Sequence, residues 1–159
     1  MWQYRMTGDI TIQLSGGLFL EKRRLFLPWG ARFDQLLATG VPTLDQECHR
    51  CRLYWKDEAI LEGLQGHLSA TLSPAKDTAG LQQVRFEPCQ SRISGDPWQG
   101  LEPELVHLRQ AFGPPTGLKA WQGYLWLLPG LEVELGFYDS GPFYEDDDLH
   151  KWVHIRRVA

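Results

Sequence analysis

The sequence ends a short amphipathic segment twice in the same way. Phe33 to Thr43 reads FDQLLATGVPT, and Leu105 to Thr116 reads LVHLRQAFGPPT. In the first, Phe33, Leu36 and Leu37 fall at i, i+3 and i+4, one stripe of a helix. Gly40 can take the left-handed backbone past the helix end at no Cβ cost, and Pro42 cannot continue a helix. In the second, Pro103 stands where a helix tolerates proline in its first turn. Leu105, Leu108 and Phe112 make the stripe, and Gly113-Pro114-Pro115 ends it. Each stop is followed by segments that alternate apolar and polar residues.

Those segments read as half-buried strands. After the first stop, Leu53 and Trp55 alternate with Tyr54 and Lys56, and Ala59–Leu64 reads as a second short strand. Leu68, Ala70 and Leu72 alternate with His67, Ser69 and Thr71, and Val84 and Phe86 with Gln83 and Arg85. After the second stop, a strand region holds Trp121 and Tyr124–Leu128, and Leu131, Val133, Leu135 and Phe137 alternate with Glu132, Glu134 and Gly136. At the end, Val153 and Ile155 face one way, Trp152 and His154 the other. Ahead of the first helix, Ile10, Ile12 and Leu14 also read as a strand. Leu18, Leu20 and Leu25–Leu27 then flank Glu21–Arg24 as a hairpin with a charged, solvated tip.

The expected fold is α+β: antiparallel sheet with one wet face, and short helices packed on the other. The organisation expected is a tandem repeat of a helix plus three to four strands. Residues 1–159 are read as one domain with two similar halves. These are 1–90, with the extra N-terminal hairpin, and 100–159, joined by the Gly-, Pro- and Ser-rich stretch PCQSRISGDPWQGLEP.

Composition narrows the function. The net charge of −4 disfavours general nucleic-acid binding, which rests on Lys and Arg at phosphates, and leaves room for a basic protein partner. Seven Trp is a high number; some must be core, and the surplus points to an interface. No stretch approaches the roughly 18 apolar residues of a membrane span. The N-terminus MWQYRMTGDITIQL lacks the basic and apolar regions of a signal peptide, and three Cys is an odd number. Reduced thiols in a cytoplasmic protein are therefore expected.

Chemical motifs are sparse. Cys48-His49-Arg50-Cys51 lacks the second ligand pair of a structural zinc site and does not open a helix as a thioredoxin-like pair does. The five His are scattered. His150 and His154 are four apart, but in a segment that reads as strand. Phosphate-loop, dinucleotide and nucleophile-elbow signatures are absent from the sequence, and Asp139-Ser140-Gly141 reads as turn chemistry. No catalytic residue, metal or cofactor is expected.

The acidic stretch from Tyr138 to Asp148 carries the most weight. Asp139, Glu145, Asp146, Asp147 and Asp148 are interleaved with Tyr138, Phe143 and Tyr144, without a Lys or Arg. A solvated loop is the plainest reading, and the spacing of a calcium loop is missing. A binding surface is the sharper one: aromatic anchors, with carboxylates to steer a basic partner. Its candidate residues are Tyr138, Asp139, Phe143, Tyr144, Glu145, Asp146, Asp147, Asp148 and nearby Trp152.

The twice-used unit, carried by LLATGVPT and LRQAFGPPT, resembles the tandem α/β architecture of the β-lactamase-inhibitor-protein and BamE type. It is also similar in texture to small cytoplasmic immunity proteins that bacteria pair with polymorphic or contact-delivered toxins. The resemblance implies a binding protein that occludes the active site of a basic toxin domain, with no chemistry of its own. A small-ligand or enzymatic domain, with its pocket between sheet and helices, is the alternative. A structural domain of a phage or secretion apparatus is a third. The oligomeric state is not legible.

Overall fold

The computed structural model describes residues 10–47, 50–72, 79–119, 123–139 and 149–158. In order, α1 (Ile10–Gly16) leads into a hairpin of β1 (Gly17–Leu20) and β2 (Leu25–Pro28), followed by α2 (Phe33–Ala38). Next come β3 (Thr43–Glu47), β4 (Arg50–Ile60), β5 (Leu64–Leu72), β6 (Gln83–Pro88) and the short β7 (Arg92–Ile93). Then α3 (Pro97–Gly100) and α4 (Glu102–Phe112) precede β8 (Gly117–Lys119), β9 (Gly123–Leu128), β10 (Leu131–Asp139) and β11 (Leu149–Arg157).

The fold is α+β and antiparallel, as expected. β3–β6 form one meander and β8–β11 another, and β6 pairs with β11 to join them in the order β3-β4-β5-β6-β11-β10-β9-β8. β7 continues the edge of β6 by pairing with the start of β11. A short helix precedes each meander, and the sheet runs without a break across the stretch read as a linker, which itself holds β7 and α3.

Alternation decides the two faces. Leu53, Trp55, Leu68, Ala70, Val84, Phe86, Val133, Leu135, Val153 and Ile155 are buried on one side. The helices contribute Ile10, Leu14, Leu36, Leu105 and Leu108 to the same core cluster. Trp98 of α3 packs edge-on to Tyr124 and Phe137, with ring centroids 5.4 and 5.6 Å apart. Beneath α4 a buried ion pair, Lys151 with Glu104, sits on this apolar face, and Lys151 Nζ also donates to Gly100 O at 3.1 Å. Such a pair is held by geometry, because removing either partner strands a desolvated charge.

Three local readings are corrected. Ile10–Leu14 is helix, not strand: Ile10 and Leu14, at i and i+4, are buried, whereas Ile12 is 71% exposed. Packing selects the helical period over the β preference of isoleucine. The indole Nε1 of Trp29 donates to Leu14 O at 2.8 Å, so a carbonyl orphaned at the helix end finds a donor. Ala59–Leu64 is not a separate strand, because β4 runs to Ile60 with a register irregularity between Trp55 and Glu58, and Leu61–Gly63 is the turn.

The charged hairpin tip is the third. It is docked rather than solvated. Arg23 Nε donates to the carboxylate of Glu58, which is fully buried, and Lys22 reaches Asp57 at 2.6 Å. The carboxylate of Glu21 accepts from the N–H groups of Glu62 (2.6 Å) and Gly63 (2.9 Å). That clamp acts where it is needed, since Leu61 and Glu62 both hold positive φ, 50° and 65°, which costs energy for residues with a Cβ. His107 of α4 completes the hold by donating Nε2–H to Leu61 O at 2.6 Å.

Candidate functional site

The face of the sheet opposite the helices carries the candidate site. Cross-strand register sets a row of side chains on it: Tyr54 beside Ser69, Ser69 beside Arg85, Arg85 beside His154, and His154 beside Glu134. Neighbours in such a row have Cβ atoms about 4.5–5.5 Å apart, close enough to act together. One pleat along, Trp152 lies opposite Gly136, and Tyr138 opposite His150.

Arg85 links these residues. Its guanidinium lies 4.3 Å from the centroid of the Tyr138 ring and 5.9 Å from that of Trp152. Both are within cation–π range. Arg52, two strands away, is oriented in the same manner: Nη1 donates to Tyr54 Oη at 2.5 Å and the guanidinium carbon is 5.4 Å from that ring. The two arginines flank a groove of about 460 Å³ whose walls, among the described residues, include Ser69, Tyr138, Trp152 and His154. A smaller hollow of about 130 Å³ continues it toward Tyr54, His67 and Glu87.

The groove's rim is fixed by hydrogen bonds. His67 Nδ1 accepts from the Asp57 N–H at 3.0 Å, which assigns the proton of the neutral ring to Nε2. Glu87 is turned aside, accepting from Ser91 Oγ at 2.9 Å. Ser91 Oγ also lies 3.2 Å from His150 Nδ1. This is not a nucleophile–base arrangement: there the imidazole takes the hydroxyl proton and a carboxylate holds the imidazole, whereas here the carboxylate takes the hydroxyl. Asp57 has its carboxyl held below the usual carboxylate range, first by the hydrogen bond from Lys22 and then by that ammonium's charge.

Of the residues singled out in the sequence, the structure brings Tyr138 and Trp152 together on one face of the sheet, with Arg85 between them. Asp139 ends β10 opposite Leu149. Phe143, Tyr144, Glu145, Asp146, Asp147 and Asp148 lie outside the described residues, as do Cys48 and His49. Among the described residues no three His, Cys, Asp or Glu side chains stand close enough to hold a metal ion, and Cys89 is an exposed free thiol. No described helix is long and apolar enough to cross a membrane.

Sequence reasoning missed Arg52 and Arg85 as site residues. Alternation places Arg85 on the wet face together with Gln83, but the aromatic partners come from β10 and β11, more than fifty residues away. The groove between Arg52 and Arg85 lies on the outer face of the sheet, not between sheet and helices. On the helix side, a hollow lined by Ile10, Leu14, Leu18 and Leu61 offers about 10 Å³, no more than one water. Compared with protein-family models, with curated proteins and with solved structures, the chain matches none.

Proposed function

We propose that this chain is a protein-binding protein of the immunity type, which neutralises a partner by covering its active site with the outer face of the sheet. One observation carries the reading: Arg85 lies within cation–π range of both Tyr138 and Trp152, on the outer face of three neighbouring strands, β6, β11 and β10. Tyr, Trp and Arg are the residue types enriched at the energetic centres of interfaces. Held on strands and by one another, they lose little freedom on binding, which leaves more of the contact energy as affinity. An interface of ordinary size, roughly 800 Å² per partner, extends well beyond the groove over the neighbouring strands.

Occlusion requires no bond chemistry from the binding protein, and the polar clusters described above serve to orient side chains. A basic surface on the partner, facing Asp146–Asp148, belongs to the same proposal and is tested separately below. The proposal as a whole is tested by co-expressing the chain with the product of the neighbouring reading frame. A stable complex that abolishes the partner's toxicity is expected. Absence of both complex and protection rejects the immunity reading.

A further inference from the structure

We infer that the free edge of β8 pairs with the β8 of a second copy of this chain, antiparallel and centred on Leu118, so that two molecules share one continuous sheet. The pairing uses the edge of the sheet and is independent of what the outer face binds.

β3 and β8 are the two ends of the strand order, and among the described residues no strand pairs with the far side of β8. Thr116, Gly117, Leu118 and Lys119 are all exposed. Such an edge presents a row of unpaired backbone N–H and C=O groups, the template for a further extended chain. Natural sheets guard their edges with charge or proline, above all where apolar residues stand. Here the middle position is a leucine, 66% exposed. Leu118 stands opposite Tyr124, on the helix side of the sheet, where Tyr124 packs against Trp98. One strand in, Leu127 stands opposite Glu132 on the outer side and is 53% exposed. Apolar surface is therefore bare on both sides of this edge.

The sequence of the edge selects a second copy as its occupant. A two-fold axis normal to the sheet relates two antiparallel strands, and through Leu118 it sets Leu118 against Leu118 and Lys119 against Gly117. The leucines bury each other. Each lysine meets a residue without a side chain, at a position where even an added Cβ would touch nothing within 4 Å. The same axis through Lys119 would oppose two ammonium groups. On β3 an axis through Asp45 would oppose the two Asp45 residues, and like charges directly opposite are destabilising. Pro114 and Pro115 close the run ahead of Thr116, so the paired stretch is short and the dimer is weak, half formed at on the order of 0.1 mM. Because the axis is normal to the sheet, the outer faces of both copies, each with its Trp152 and Arg85, come to the same side of the dimer.

The test is sedimentation equilibrium of the full chain from about 10 µM to about 1 mM, a range that brackets such an affinity. The apparent mass should rise from that of one chain towards that of two. Leu118→Asp changes an exposed position, so the circular dichroism spectrum should be unaltered while self-association weakens about tenfold or more. Val106→Asp, at an exposed apolar position on α4, should leave the association unchanged. Leu118→Cys treated with oxidised glutathione should give a disulfide joining position 118 of two copies, mapped by mass spectrometry. Residues directly opposite in an antiparallel pair have Cα atoms about 4.5–5.5 Å apart, within disulfide reach.

A chain that stays monomeric to millimolar concentration overturns the proposal, whether or not a strand of another protein takes the edge. A dimer that withstands Leu118→Asp, that weakens equally with Val106→Asp, or that gives no disulfide at position 118 overturns it as well. A monomer that still loses its cognate partner with Trp152→Ala rejects the dimer and keeps the outer-face reading. A dimer as expected, with no protein partner found, does the reverse.

Discussion

Removing Arg23 should cost the fold more than removing the charge it neutralises. Glu58 is fully buried at the far end of β4, and Arg23, at the hairpin tip, donates to it while remaining about half exposed (45%). Arg23→Ala leaves a carboxylate desolvated and alone. Breaking a buried pair from one side costs about 3–5 kcal/mol. Because the arginine is half exposed, water can enter the vacated space, so a value below that range, about 2–3 kcal/mol, applies here. Glu58→Gln instead removes the charge and lets Arg23 turn into solvent, a loss of about 1.5 kcal/mol, the low end for a hydrogen bond between charged groups.

The double variant should therefore be about 1–2 kcal/mol more stable than the sum of the singles implies. Urea denaturation followed by circular dichroism reads this directly. With a slope of about 2 kcal/mol/M for a chain of this size, Arg23→Ala should lower the midpoint by about 1–1.5 M. If Arg23→Ala costs no more than Glu58→Gln, or the two effects simply add, the buried-charge reasoning is wrong.

Three further outcomes are expected. Asp57→Asn should remove a small stabilisation present at neutral pH: a carboxyl held low in the folded state contributes above its ordinary value near 3.8, and the contribution fades as the pH falls through the folded value. Stability curves of the two proteins from pH 7 to pH 2 should converge at the acid end, and a constant gap contradicts this. Gly123→Ala should destabilise by about 1–3 kcal/mol, since a Cβ there would lie 2.0 Å from Leu135 O; an unchanged melting temperature refutes the close packing of β9 on β10. Replacing Asp146, Asp147 and Asp148 together by Asn should slow association with the cognate partner and flatten its salt dependence, and unaltered kinetics exclude steering by that loop.

Much of the fold was legible because period 2 and period 3.6 are local properties. The buried and wet faces of β5 and β6 follow the alternation, as do Val153 and Trp152 in β11, whereas in β10 Glu134 on the outer side is buried as well. The Gly40 stop is found with φ of 72°. Ile10–Leu14 failed because spacings of two and four coincide over five residues, and only burial separates them. The site was half legible for a different reason. Trp152 and His154 could be placed on one face, but the pairing of β6 with β11 sets Arg85 beside them, and no local pattern in either segment encodes that pairing.

The central claim is that the outer sheet face is where the partner sits, and one titration tests it most directly. Calorimetry of the cognate partner against Trp152→Ala and against Val106→Ala, an exposed apolar position on the helix side, separates the two faces of the molecule. The account predicts a loss of at least about 2 kcal/mol for Trp152→Ala, the mark of an interface centre, and no change for Val106→Ala. Full affinity in Trp152→Ala, or a comparable loss in Val106→Ala, contradicts it.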